Sequence, residues 1–307
     1  MNLSEIRAAL RTVCAIPITT FRQDGSVDFA LFRHLITRMV DGGISVVTPN
    51  GNTSEFYSLN SIEHRRQLED TSVGVAASRN QALILAGVGF DTQTAIEMAD
   101  LAQVIGAQAV MVHQPVHPYR SDDGWIAYHK AIAETIPDMG IVPYVRDASI
   151  SGATIKRLAE ACPNFVGIKY AVPNPPLFTK IVREVGADRL AWICGIAESW
   201  APFFWVGGAQ GFTSGLVNLT PHLSLEMQTA LEAGNYPRAM ELWAQIKPFE
   251  DLRARRDNAN NVSAVKEAMA QLGLCVRTVR PPISELAEAE RAEVSQILKL
   301  LISEPVG

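Results

Sequence analysis

The amino-acid sequence predicts an α/β protein: a (β/α)8 TIM barrel followed by a C-terminal helical extension. Eight short apolar runs alternate with amphipathic stretches up to about residue 214. The runs show no polar alternation, as expected of parallel strands covered on both faces. Beyond them the chain keeps a helical period, with no ninth strand-like run.

The strand-like runs are 13–19, 44–48, 82–87, 109–113, 140–145, 165–169, 191–195 and 210–214. Between the first two, Phe29, Phe32, Leu35, Ile36 and Met39 recur at helical spacing, and Asp28 stands where an N-cap is needed. Stretches 92–105 and 154–161 repeat that pattern, and Asn60 or Ser61 is placed to cap a helix after the second strand. Helical periodicity then covers 220–232, 236–256, 263–272 and 286–302, with Pro281-Pro282 as a break before the last. The organisation expected is a barrel over residues 1–220 and a helical domain over 221–307, joined without a flexible tether. A doubly wound open sheet is the competing architecture. Against it, Gly87-Val-Gly89 is followed by Phe90 and Asp91, not by the remaining glycine of a dinucleotide fingerprint, and no Walker loop occurs.

A net charge of −5 implies no basic face, so no nucleic-acid partner is expected. The one dense basic run, Arg253-Ala-Arg-Arg256, follows Glu250 and Asp251 and reads as a salt-bridged helix surface. Cys14, Cys162, Cys194 and Cys275 are far apart and lack metal-ligand spacing, which predicts inert thiols in a reducing, cytoplasmic setting. Residues 1–7 contain no apolar signal core, and no apolar run is long enough to span a membrane.

In a barrel, the chemistry is expected where strands end and the following loops begin. Lys169 stands at such an end, closing the apolar run Phe165-Val-Gly-Ile168. A lysine pushed towards an apolar interior loses preference for its charged form, which frees a neutral amine to attack a carbonyl. Tyr144, near the end of the preceding apolar run, is positioned to relay protons to a carbinolamine. Read singly, each has a blander meaning: a core tyrosine with a satisfied hydroxyl, and a strand-end lysine that snorkels to water. The turn Asn50-Gly-Asn-Thr-Ser54 can cradle a carboxylate with backbone N–H groups and the Thr53 and Ser54 hydroxyls, or simply connect strand to helix. His113 and His117 have the spacing of a zinc pair, but Pro115 and Pro118 break any helix there and no third ligand follows. No metal site is expected, and His117 reads better as a proton-transfer or substrate-contact group.

Together these motifs resemble the dihydrodipicolinate synthase / N-acetylneuraminate lyase family of Schiff-base aldolases and dehydratases. The matching pieces are Pro17-Ile-Thr-Thr-Phe21, Gly51-Asn-Thr-Ser-Glu55 in place of the family's Gly-Thr-Thr-Gly-Glu, Tyr144, Gly167-Ile-Lys169 and Gly211-Phe-Thr-Ser-Gly215. The resemblance implies a barrel with a C-terminal helical domain, usually a homotetramer, with Lys169 as Schiff-base lysine and Tyr144 as proton relay. It places Asn52 and Thr53 where the family holds the keto-acid carboxylate. It also marks departures. Asn52 replaces a hydroxyl residue, and His117 falls near where the synthases supply a second tyrosine from a neighbouring subunit. Ser149 stands in place of the arginine that binds the aldehyde substrate's carboxylate.

The expected function is a Schiff-base lyase of a 2-keto acid, most simply a dehydratase or aldolase of a 2-keto-3-deoxy sugar acid. The aromatic after Glu55 and the run Tyr144-Val-Arg-Asp147 favour the dehydratases. Arg146 is then a candidate for a distal carboxylate or hydroxyl, and Thr213 and Ser214 for the pocket wall. Condensation of pyruvate with an aldehyde is the second reading, and a keto-acid sensor without turnover is the alternative of another class. The expected partners are a small keto acid, either pyruvate or a sugar-derived one, and further copies of the chain as dimer or tetramer. No metal or organic cofactor is called for, because the imine itself is the electron sink.

Overall fold

The computed structural model describes residues 1–302. Eight parallel strands close into a barrel in sequence order: β1 Val13–Ala15, β2 Val46–Val47, β3 Leu83–Val88, β4 Ala109–Val112, β5 Gly140–Val145, β6 Gly167–Tyr170, β7 Ala191–Cys194 and β8 Gly211–Ser214. Every residue of these strands is buried, which explains the unbroken apolar runs. The first two are shorter than the sequence predicts. After Ala15 the chain stays extended and buried, but Pro17 has no N–H and the Ile18 N–H donates to the Asn218 side chain instead of to a strand.

One compact unit contains 1–14, 45–49 and 82–213. Here helices α4 Thr92–Ile105, α5 Asp122–Thr135, α6 Gly152–Ala161, α7 Pro175–Val185 and α8 Ala201–Val206 alternate with strands β3 to β8. The short helix α1 Leu3–Ala9 sends Ile6 and, just beyond it, Leu10 into the same core as Leu85, Met111, Val142 and Ile193. That contact explains why β5 starts on glycine. A Cβ at Gly140 would stand 2.5 Å from Val166 Cγ2 and 3.1 Å from Ile6 Cγ2. Gly211 at the start of β8 is tighter still, since its Cβ would meet the Thr12 carbonyl at 2.4 Å. Helix α1 thus occupies the N-terminal mouth, leaving the C-terminal ends of the strands for chemistry.

The second unit contains 15–44, 50–81 and the chain from Ser214 onward. Helix α2 Phe29–Asp41 is capped by Asp28, which accepts from the Leu31 N–H, and α3 Ser61–Ala76 opens on a reciprocal capping box of Asn60 and Glu63. Both caps were legible in the sequence. The four C-terminal helices are α9 Pro221–Glu232, α10 Tyr236–Asn258, α11 Asn261–Gln271 and α12 Glu288–Leu301. The basic run 253–256 splits by role. Arg255 pairs with Glu293 at the surface, whereas Arg253 is buried against Glu250 at 2.6 Å.

Because the space at Gly140 is filled by β6 and α1, Gly140→Ala is expected to destabilise the fold by about 1–3 kcal/mol through overpacking. Chemical denaturation checks this, and an unchanged midpoint would contradict the packing described.

Candidate active site

The register of β5 and β6 sets Tyr144 directly opposite Lys169. The lysine Nζ lies 4.0 Å from the centre of the Tyr144 ring, and the buried His113 ring stands 6.2 Å from the same tyrosine. Lys169 is 2% exposed. The titratable groups that act on it are Cys14, Arg146 and Cys194, none of them a carboxylate. Burial pulls its amine from the ordinary 10.5 down to about 7, and the Arg146 guanidinium pushes the same way. The two cysteines oppose this only as thiolates. Burial pushes both thiols up to about 12, so at neutral pH they carry no charge and leave the ammonium uncompensated.

The lysine stem also has a built seat. Gly195 follows β7, and a Cβ there would come 2.9 Å from Lys169 Cγ and 3.0 Å from Ala171 Cβ. A side chain at this position would displace the amine. Thr213 lies on β8, two residues beyond Gly211 and so on the same face, and is 5% exposed. Ser214 points its hydroxyl elsewhere: it accepts from the Val217 N–H and lies 3.2 Å from the Ser224 hydroxyl.

The loops after β4 and β5 carry the remaining candidates of this unit. His117 is exposed, and its Nδ1 accepts from the Tyr119 N–H at 3.1 Å. It therefore does not join His113, and among the described residues no group of three His, Cys, Asp or Glu side chains is arranged to hold a metal ion. Arg146 is exposed, and its backbone N–H donates to Gln114. An arginine that the sequence did not single out lies beside it. Arg120 donates to Asp147 at 2.7 Å and to the hydroxyl of Ser149. The Ser149 N–H, the Arg120 guanidinium and the Ser149 hydroxyl, in that order, hold the Asp147 carboxyl down to about 2. A guanidinium thus reaches Ser149 from another loop. Nothing in the spacing of residues 120 and 149 announced it.

In the second unit, the turn after β2 is folded on itself. The N–H groups of Ser54 and Phe56 donate to the Gly51 carbonyl, and that of Glu55 donates to the Asn52 carbonyl. The N–H groups of Asn52 and Thr53 take no part in these bonds. Ser54 is turned away from any cradle, because its hydroxyl donates to the Pro17 carbonyl. Thr53 is buried, with its hydroxyl 3.4 Å from the Asn261 side chain, and the half-buried Asn52 has an Oδ1 with no hydrogen-bond partner among the described residues. Asn50 and Glu55 bracket the turn in left-handed conformations, both at φ 58°. For two residues with side chains this strain is on the order of 1–3 kcal/mol each, so neighbouring contacts must hold it in place.

A parallel barrel with a desolvated lysine facing a tyrosine on the adjoining strand has the parts that an amine attacking a carbonyl needs. The description of the Dihydrodipicolinate synthetase family matches residues 9–301. The chain belongs to that family and is a lyase of it. It is 32% identical to a probable 5-dehydro-4-deoxyglucarate dehydratase of Bacillus subtilis (strain 168), over 97% of this chain and 96% of that one. A Rhizobium rhizogenes (strain K84) protein of the same description is 29% identical, over 97% and 98%. Among solved structures, dihydrodipicolinate synthase from Bacillus clausii superposes with a TM-score of 0.91 at 42% identity, over 96% of this chain and 98% of that one. The dihydrodipicolinate synthase from Oceanobacillus iheyensis gives 0.92 at 38%, over 99% and 100%.

With an amine held at about 7, imine formation with a keto acid is expected to rise as pH rises through 7 and to level above 8. Single-turnover trapping rates across pH 5.5 to 9.5 check this. A rate still climbing at the upper end would mean that Lys169 titrates as an ordinary surface lysine.

Proposed function

We propose that the chain is a Schiff-base lyase that dehydrates a 2-keto-3-deoxy sugar acid, with 5-dehydro-4-deoxyglucarate as the substrate to test first. The observation that carries this reading is the pairing of a desolvated Lys169 with Tyr144 on adjoining strands. The dehydratase relatives supply the substrate class. That compound carries its ketone beside one carboxylate, a CH2 next to the ketone, and a hydroxyl on the carbon after that.

The chemistry follows from those groups. The neutral Lys169 amine attacks the keto carbon, and loss of water gives an imine whose protonated form draws electrons from the adjacent CH2. One C–H proton leaves to a base, giving an enamine. The enamine then expels the β-hydroxyl, which leaves as water after gaining a proton. Tyr144 is the group assigned to carry protons to and from the carbinolamine. The turn at Asn52 and Thr53 is assigned the carboxylate beside the ketone, on the strength of its motif and of two N–H groups that take no part in the turn's own bonds. The Asn52 carboxamide substitutes for a hydroxyl donor there by presenting Nδ2. Arg146 and His117, exposed on their loops, are assigned to the far end of a longer substrate, with Thr213 shaping the wall.

The second reading, condensation of pyruvate with an aldehyde, draws on the solved synthases. Against it stands Ser149, whose hydroxyl cannot replace a guanidinium in gripping a carboxylate, while the Arg120 guanidinium that reaches it is already paired with Asp147. A cytoplasmic location and assembly as a dimer or tetramer complete the proposal.

Lys169→Ala is expected to abolish loss of water from 5-dehydro-4-deoxyglucarate, and Tyr144→Phe to slow it by about 10²–10⁴-fold. Product formation followed by mass spectrometry checks both. Ligand binding and biological activity that survived Lys169→Ala unchanged would instead identify a keto-acid sensor.

A further inference from the structure

Two residues of the turn assigned to the carboxylate are tied to one helix far along the chain. Thr53 reaches the side chain of Asn261, the first residue of α11, and Glu55 meets Lys266 further along the same helix. The second tie is the stronger. Glu55 and Lys266 are both 0% exposed at the side chain, and Nζ lies 2.5 Å from Oε2. Lys266 also donates to the Thr278 carbonyl at 2.9 Å and lies 4.0 Å from the centre of the Phe21 ring.

The surroundings show that this arrangement is built in depth. Arg280 stacks at 4.5 Å on the same Phe21 ring. All five of its N–H donors are used: on the Gly25 carbonyl, on the Ser58 carbonyl that follows the turn, and on both oxygens of Glu63. At the other end of α11, Asn261 accepts from Arg253, itself paired with Glu250. The junction leading into α11 passes through three successive left-handed residues, Arg256, Asp257 and Asn258. It is pinned there by Arg255 on Glu293 and by Arg256 and Asn260 on Glu290.

A stabilising role alone does not account for a charge pair in this place. Two desolvated charges are a poor source of stability, and apolar residues of the same size often serve as well or better. What the pair does provide is geometry. Glu55 sits at φ 58°, a conformation that costs a residue with a side chain, and its carboxylate is held there by Lys266, with the Arg280 backbone N–H and guanidinium as further partners. Fixing Glu55 fixes the bond that its own N–H makes to the Asn52 carbonyl, and with it the peptide plane that carries the Thr53 N–H.

We propose that Lys266 is a positioning residue for the reaction, acting through Glu55 to hold the carboxylate-binding turn in its substrate-ready conformation. The inference rests on the Schiff-base reading and adds a specificity to it: α11 sets selectivity for an acid over a neutral ketone, not the reactivity of the amine.

The test compares borohydride trapping by pyruvate with trapping by methyl pyruvate, the same ketone without the charge. The proteins compared are the full-length wild type, Lys266→Met, and the double variant Glu55→Gln/Lys266→Met, which leaves no unpaired buried carboxylate. The expected result is a tenfold or greater rise in half-saturating pyruvate in both variants. Trapping by methyl pyruvate, including its pH dependence, should stay within twofold of wild type. Equal loss with both ketones would show a general structural role and overturn the proposal, as would no change with either. If wild type traps neither these ketones nor a sugar-derived keto acid at Lys169, the Schiff-base reading itself falls and takes the inference with it. Asn261→Ala, at the half-exposed start of α11, carries the same prediction should the Lys266 variants fail to fold.

Discussion

The rest of the structure depends on the desolvation of one lysine. A free lysine near neutral pH offers about one neutral amine in a few thousand, whereas a group held near 7 offers about half. The gain has a thermodynamic counterpart. Because the folded pKa lies below the unfolded one, the burial opposes folding most strongly below pH 7 and is relieved as pH rises towards 10.5. The penalty at the acid end is on the order of 5 kcal/mol. A barrel core of Leu, Val, Ile and Met is what absorbs it.

The surroundings of Lys169 keep that environment intact. Neutral thiols lie close where an acid would restore the charge, and a glycine stands where any Cβ would press on the stem. At the N-terminal ends of β5 and β8, Gly140 and Gly211 make room for α1 and the residues that follow it, while Lys169 and Tyr144 lie towards the opposite ends of their strands. The second unit follows another principle. Around Phe21 it places a buried Glu55–Lys266 ion pair and an Arg280 with all five N–H donors used, next to a turn whose Glu55 is left-handed.

Most of the fold was legible because its signals are local. Unbroken apolar runs marked the buried strands, and Asp28 and Asn60 marked the starts of α2 and α3. Tyr144 and Lys169 were legible as strand-end residues, but their facing register needed the barrel to close. What stayed hidden depends on pairing across long stretches of chain. Arg120 on Ser149, Gly195 against Lys169, and Lys266 under Glu55 have no spacing rule, because the partners meet only after folding. The turn was half legible: its cradle shape was expected, but the Ser54 hydroxyl is spent on Pro17. Ser214 likewise reads as a wall residue in sequence, while its hydroxyl serves the turn that follows.

The central claim is that Lys169 is a neutral nucleophile at physiological pH. Borohydride reduction in the presence of pyruvate, followed by intact and peptide mass spectrometry, tests it most directly. The account predicts a single pyruvate-derived addition per chain, mapped to the peptide containing Lys169 and absent from Lys169→Ala. An addition located on another lysine, or none with pyruvate or with sugar-derived keto acids, would contradict it.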